Sequence, residues 1–161
     1  MKNISQMNSN SRVWIYQADR FLSPDEVRGI VAKVPAFVDQ WTSHGASMEA
    51  SIEVFHHLFL VVAADESKAL ASGCGIDTSV RFVKDLGKSI GVDFFDRRMV
   101  AFGELGAIQL SPMNEFWAMR KSGMVQSDTP VFDNLVKTVA QFGMNWHVPF
   151  QESWYQEAWA G

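Results

Sequence analysis

The stretch Ile52–Ala64 constrains the fold of this chain more than any other. Val, Phe and Leu dominate it, and it reads as β structure. At thirteen residues it exceeds the roughly three to ten of an ordinary strand. A tight turn at His56-His57 divides it into a hairpin of Ile52–Phe55 and Leu58–Ala64. Histidine is not a favoured turn residue, so a single long strand stays open. The hairpin leads to an antiparallel α+β fold. The single strand leads to an α/β fold with a parallel sheet.

The flanking signals favour the hairpin. Val13–Tyr16 is a first strand. Ser23-Pro24-Asp25-Glu26 is a helix start, with Ser23 as cap, Pro24 in the first turn and Glu26 completing a capping box. Val27, Ile30, Val31 and Val34 follow helical spacing, and Pro35 predicts a kink or break. Phe37, Val38 and Trp41 form a second short piece. Asp77 caps a helix whose apolar face is Phe82, Val83, Leu86 and Ile90, closed by Gly91. Met99–Phe102 is a strand, and Ala107–Leu110 pairs back on it. Ser111-Pro112 starts a helix ended by Gly123, and Thr129-Pro130 starts another ended by Gly143. The order β-α-β-β-α-β predicts a ferredoxin-like core with an extra hairpin strand and C-terminal helices. Residues 1–11, rich in Asn and Ser, are expected to be disordered, and 12–161 to form one domain. The tail after Asn145 carries Trp146, Trp154 and Trp159, which predicts that it docks on the domain.

Composition excludes several classes. A chain of 161 residues is about one domain. Net charge is -4 with no basic block, so the nucleic-acid footprint is missing. No apolar run reaches the roughly 18 residues of a membrane span. Met1–Ser11 is polar and has no secretory h-region. A single cysteine fits a reducing compartment, hence a cytoplasmic location.

The candidate chemistry centres on Ser72-Gly73-Cys74-Gly75-Ile76-Asp77. A cysteine between glycines at a helix start sits where backbone N–H groups favour a thiolate. Cys74 is then a nucleophile or redox thiol, with His44, His56 or His57 as base. Against this stands a small apolar cysteine in a tight turn. Trp41, His44 and Gly73–Gly75 bound a candidate small-molecule pocket, with Gly73, Gly75 and Asp77 near the ligand. Arg97, beside Asp93, Asp96 and Arg98, is a candidate anion clamp, or part of a solvated turn. Adjacent His56 and His57 point to opposite faces of a strand, and no His or Cys spacing suits a metal. Gly87-Lys88-Ser89 looks like the end of a phosphate loop, but Phe82 stands where that loop needs glycine.

Several segments together carry a resemblance. They are Val13-Trp14-Ile15-Tyr16-Gln17, Gln40-Trp41 with His44-Gly45, Ser72-Gly73-Cys74-Gly75-Ile76-Asp77, Val92-Asp93-Phe94-Phe95-Asp96-Arg97, Phe132-Asp133-Asn134-Leu135-Val136 and Glu152-Ser153-Trp154. The set resembles a family of small bacterial proteins of unestablished function that often carry the label "ABC transporter ATPase". The resemblance implies no activity and no site residues. The label does not suit these residues, because without a phosphate loop nothing cradles ATP.

The sequence thus predicts a non-enzymatic binding or interaction domain, its partner a protein or small molecule. The alternative is a cysteine-dependent enzyme or redox protein centred on Cys74. No cofactor, metal, nucleic acid or membrane span is expected, and a homo-oligomer stays open.

Overall fold

Ser23 and Glu26 start the first long helix through reciprocal bonds. The Glu26 N–H donates to Ser23 Oγ at 3.1 Å, and the Ser23 N–H donates to Glu26 Oε1 at 2.9 Å. Arg20 grips the same carboxylate with two bonds of 2.9 Å and holds its pKa down to about 2. The computed structural model describes residues 1–42, 49–67 and 73–160, with the backbone alone at 73 and 74. Its elements are β1 (Arg12–Gln17), α1 (Pro24–Thr42), β2 (Glu49–Phe55), β3 (Phe59–Asp65), α2 (Gly73–Ile90), β4 (Met99–Phe102) and β5 (Gln109–Pro112). They continue with α3 (Met113–Ser122), β6 (Pro130–Phe132), α4 (Val139–Asn145), β7 (His147–Pro149) and α5 (Trp154–Ala160).

The thirteen-residue run is a hairpin. β2 and β3 pair antiparallel, with Phe55 opposite Phe59 and Ile52 opposite Val62. His56 and His57 both have φ of 56°, and the Leu58 N–H closes the turn on the Phe55 carbonyl at 3.0 Å. Positive φ at both central residues matches the right-handed twist of the strands.

β1 also pairs antiparallel with β3, so the first sheet has the order β1-β3-β2. β1 and β2 run parallel on either side of β3, with α1 between them in the chain. This is the first half of the expected core, but among the described strands β4 does not join it, so the complete ferredoxin-like order is not seen. β4 pairs with β5 and β6 in a second antiparallel sheet, β5-β4-β6-β7. Beside β1 lies the chain near Thr138 instead, where the Val13 N–H bonds the Lys137 carbonyl at 2.9 Å. Every pairing among the described strands is antiparallel, so the fold is α+β.

β3 is buried from Phe59 through Ala64. Its side chains alternate, so both faces of the sheet are covered. Phe59 meets Phe132 and Trp146 at ring distances of 4.7 and 4.8 Å. Leu60, Val62 and Ala64 point the other way. α1 and α2 supply Ile30, Val34, Val38, Trp41, Val83 and Leu86 to the same core. A second core joins Val100, Phe102, Phe116, Val131, Phe150 and Tyr155 between the second sheet, α3 and α5.

Four local expectations are corrected. α1 runs through Pro35 without a break. The proline costs about 3 kcal/mol or more in a helix interior, and the buried Val34, Val38 and Trp41 on both sides of it offset that cost. The helix expected from Thr129 to Gly143 is a strand, β6, then a loop, then the short α4. Val131 and Phe132 are drawn into the sheet, and Thr138 Oγ1 caps α4 by accepting from the Gln141 N–H at 3.2 Å. Asp77 is not a cap, because α2 begins at Gly73 and leaves Asp77 exposed within the helix. Residues 1–11 fold onto the domain instead of remaining disordered. Ile4 is fully buried, Met7 is buried, and the Ile4 N–H donates to Glu53 at 2.7 Å. Two apolar anchors among polar residues suffice to dock the segment.

Candidate functional site

α2 places Lys84 and Lys88 one turn apart on the same face. Gly87 lies between them and faces the chain that follows Gly91. A Cβ at Gly87 would come within 2.4 Å of the Val92 carbonyl oxygen and 3.3 Å of the Phe94 ring. Only glycine permits this approach. Gly91, with φ of +69°, reverses the chain, and the Val92 N–H donates to the Gly87 carbonyl at 2.9 Å. The result is a cleft of about 320 Å³ between α2 and residues 92–95.

The floor of the cleft is Val83, Val92 and Phe94, all buried. Its lip is Phe95, 36% exposed, held at 5.2 Å from the Tyr16 ring. Lys84 Nζ stands 5.4 Å from the centre of the Phe95 ring. Neither lysine forms an ion pair among the described residues. Asp93 also lines the cleft, but one of its oxygens accepts from the Phe95 N–H at 2.8 Å and its charge acts on Arg98.

The neighbouring charged cluster divides cleanly. Arg98 holds Asp96 through Nε at 3.0 Å and Nη2 at 2.9 Å, which lowers the Asp96 pKa to about 2. Arg97 is exposed and makes no hydrogen bond or ion pair among the described residues. Of the two arginines, Arg97 alone is free to meet an anion, two residues beyond Phe95.

The other candidates from the sequence lie elsewhere. Trp41 is buried, and its indole N–H donates to the Gly75 carbonyl at 2.9 Å. It stacks on Phe37, which stacks on Phe82 at 4.0 Å. The end of α1 is thereby joined to the first turn of α2, so Trp41 and Gly75 do come together. His44 and the Cys74 side chain lie outside the described residues, as does the loop that would complete the pocket beside Trp41. Gly73 opens α2, and Asp77 is turned to solvent.

The histidines of the hairpin turn have separate roles. His57 is exposed. His56 stacks on Trp146 at 5.8 Å, beside Phe132 at 5.9 Å. Burial, and then the neighbouring His147, lower the His56 pKa. His147 stacks on Phe132 at 4.5 Å, and its Nε2 lies 2.9 Å from the Gly103 carbonyl oxygen. Among the described residues no three His, Cys, Asp or Glu side chains gather as a metal site, and no helix is long and apolar enough to cross a membrane.

The tail tryptophans are largely absorbed by the fold. Trp146 is in the first core, and Trp154 lies 4.3 Å from Tyr155. Trp159 remains 40% exposed and stacks on Trp117 at 5.6 Å. Sequence reading missed Lys84, Lys88 and Phe95. The available signal was a glycine inside a helical run, between lysines four residues apart. No family model matches the chain, and no curated protein or solved structure matches it.

Proposed function

We propose that this chain is a non-enzymatic, cytoplasmic binding domain whose ligand occupies the cleft between α2 and residues 92–95. One observation carries the reading. Two lysines without carboxylate partners border an apolar cleft with a partly exposed aromatic lip. Its volume of about 320 Å³ is at the lower end of the roughly 300–1,000 Å³ of ligand pockets. An apolar floor with a few convergent charged groups is the usual composition of such sites. Nothing in the lining pairs a nucleophile with a base, so binding rather than chemistry is the use it suits.

The test is amide chemical-shift mapping with a set of small aromatic fragments, neutral, cationic and anionic. Binders should move the amides of Val83–Lys88 and Val92–Phe95. Fragments that move only amides around Trp117 and Trp159 would overturn the assignment.

A second reading keeps Cys74 as a reactive thiol. It is favoured by the start of α2 at Gly73, which sets Cys74 in the first turn of an 18-residue helix. A helix N-terminus stabilises a thiolate. Alkylation of folded protein across pH tests it. A plateau with an apparent pKa well below about 8.5 supports an activated thiol, and no reaction before unfolding removes it.

A further inference from the structure

We infer that the ligand of the α2 cleft is a planar aromatic monoacid, an aryl carboxylate, with its ring beside Phe95 and its carboxylate between Lys84 and Lys88. This rests on the binding reading of the same cleft and specifies its ligand. The ring follows from the lip. Phe95 is 36% exposed, and Val83, Val92 and Phe94 give the cleft an apolar floor. Flat apolar groups prefer such an offset stack to water.

The acid follows from the wall. Lys84 and Lys88 are neighbours on one helix face, so two ammonium groups reach one anionic group from the same side. The contact of Lys84 with Phe95 is a cation–π contact at 5.4 Å, and at an exposed site such a contact is weak. A carboxylate competes with it readily. Arg97, exposed and unpaired among the described residues, adds positive potential at the outer rim.

The single charge follows from what else is present. The cleft lies at the C-terminal half of α2, where the helix carries partial negative charge. Asp93 adds a full carboxylate to the lining. Among the described residues, the lining of the cleft holds no guanidinium and no helix N-terminus, and those are the groups that favour phosphate. A dianion meets more repulsion here than a monoanion and gains no bidentate partner.

The experiment titrates the full chain near neutral pH with three probes that share one ring system: 2-naphthoate, 2-naphthylmethanol and 2-naphthyl phosphate. Amide shifts and calorimetry are the readouts. The expected result is binding of 2-naphthoate at Val83–Lys88 and Val92–Phe95, about tenfold tighter than the alcohol, the scale of a charge-assisted contact. The phosphate should bind more weakly than the carboxylate. The double variant Lys84→Gln, Lys88→Gln should bind acid and alcohol equally. Both lysines are on the outer wall, and an unchanged circular dichroism spectrum verifies the fold. Lys121→Gln, on α3, should leave the preference intact. Equal affinity for acid and alcohol at the cleft amides would overturn the acid while leaving the cleft. Tighter binding of the phosphate would overturn the monoanion. No shift of the cleft amides with any of the three would overturn the binding reading itself.

Discussion

Asn134 joins the two halves of the molecule by holding Trp146 and Gln17 at once. Its side-chain oxygen accepts the Trp146 indole N–H at 2.9 Å, and its amide donates to Gln17 Oε1 at 3.0 Å. Gln17 in turn donates to the Met99 carbonyl at 3.0 Å. The chain of bonds runs from Trp146, between α4 and β7, through a loop to β1 and on to β4. Every member is satisfied, which is the condition for a buried polar network to stabilise rather than cost. Asn134→Ala strands a buried indole N–H and a buried amide. The expected loss is about 1–3 kcal/mol, read as a lower urea midpoint with an unchanged slope.

Acid should loosen the contact between the hairpin turn and Trp146. Burial and His147 hold the His56 pKa below its ordinary 6.5, so the folded state disfavours the protonated form. The unfolded chain then binds more protons than the native one in the window below pH 6.5. Stability contributed by neutral His56 is complete above that value and is lost as pH falls through it. The urea midpoint should therefore decline from pH 6.5 downward. His56→Asn, which tolerates the left-handed backbone, should flatten the decline. A midpoint indifferent to pH in both proteins would remove His56 from the account.

His57 is the simpler member of the pair. It is exposed, and its backbone carbonyl accepts from the Leu22 N–H at 2.7 Å, a bond any residue keeps. The left-handed conformation costs an L-residue roughly 1–2 kcal/mol, while glycine loses roughly 0.5–1 kcal/mol of extra chain freedom on folding. His57→Gly should raise stability by up to about 1 kcal/mol, measured as a higher thermal midpoint.

Gly87→Ala should do the opposite. The new methyl meets the Val92 carbonyl oxygen, which is backbone and has little room to move. Overpacking of this kind costs about 1–3 kcal/mol. Displacement of residues 92–95 should also abolish probe binding in the cleft. A variant with wild-type stability and full binding would show that the loop tolerates the shift.

Local signals in the sequence were strongest where one or two residues decide the backbone. The Ser23–Glu26 box, Gly91 and Gly123 mark three helix ends, and β4 was legible from its own apolar residues. The hairpin was legible from the length of the run alone, since His56-His57 gives no ordinary turn signal. What the sequence hid was long-range. Phe132 fits a helical stripe with Leu135, Val136 and Val139, yet pairing with β4 and β7 draws Val131 and Phe132 into a sheet. Pro35 reads as a breaker until the burial around it is known. The cleft was the least legible feature. Lys84 and Lys88 are ordinary surface lysines until Gly87 lets the segment from Val92 to Phe95 come up beside them.

Strand β1 has one further consequence. Between Arg12 and Gln17 it presents Val13, Trp14, Ile15 and Tyr16, a β-prone segment with a single charge. β3 occupies one edge of it. The N-terminal part of the other edge is closed by residues 137–139, through Val13 to Lys137 and through Val139 to the Ser11 carbonyl, each at 2.9 Å. If that short stretch lifts while β1 stays paired with β3, a flat row of free amides and carbonyls faces the solvent. Such a row is a template on which identical chains assemble into fibrous aggregates. The same three residues that cap and begin α4 thus also shield the edge of β1, and their loosening would expose it to a second copy of the chain.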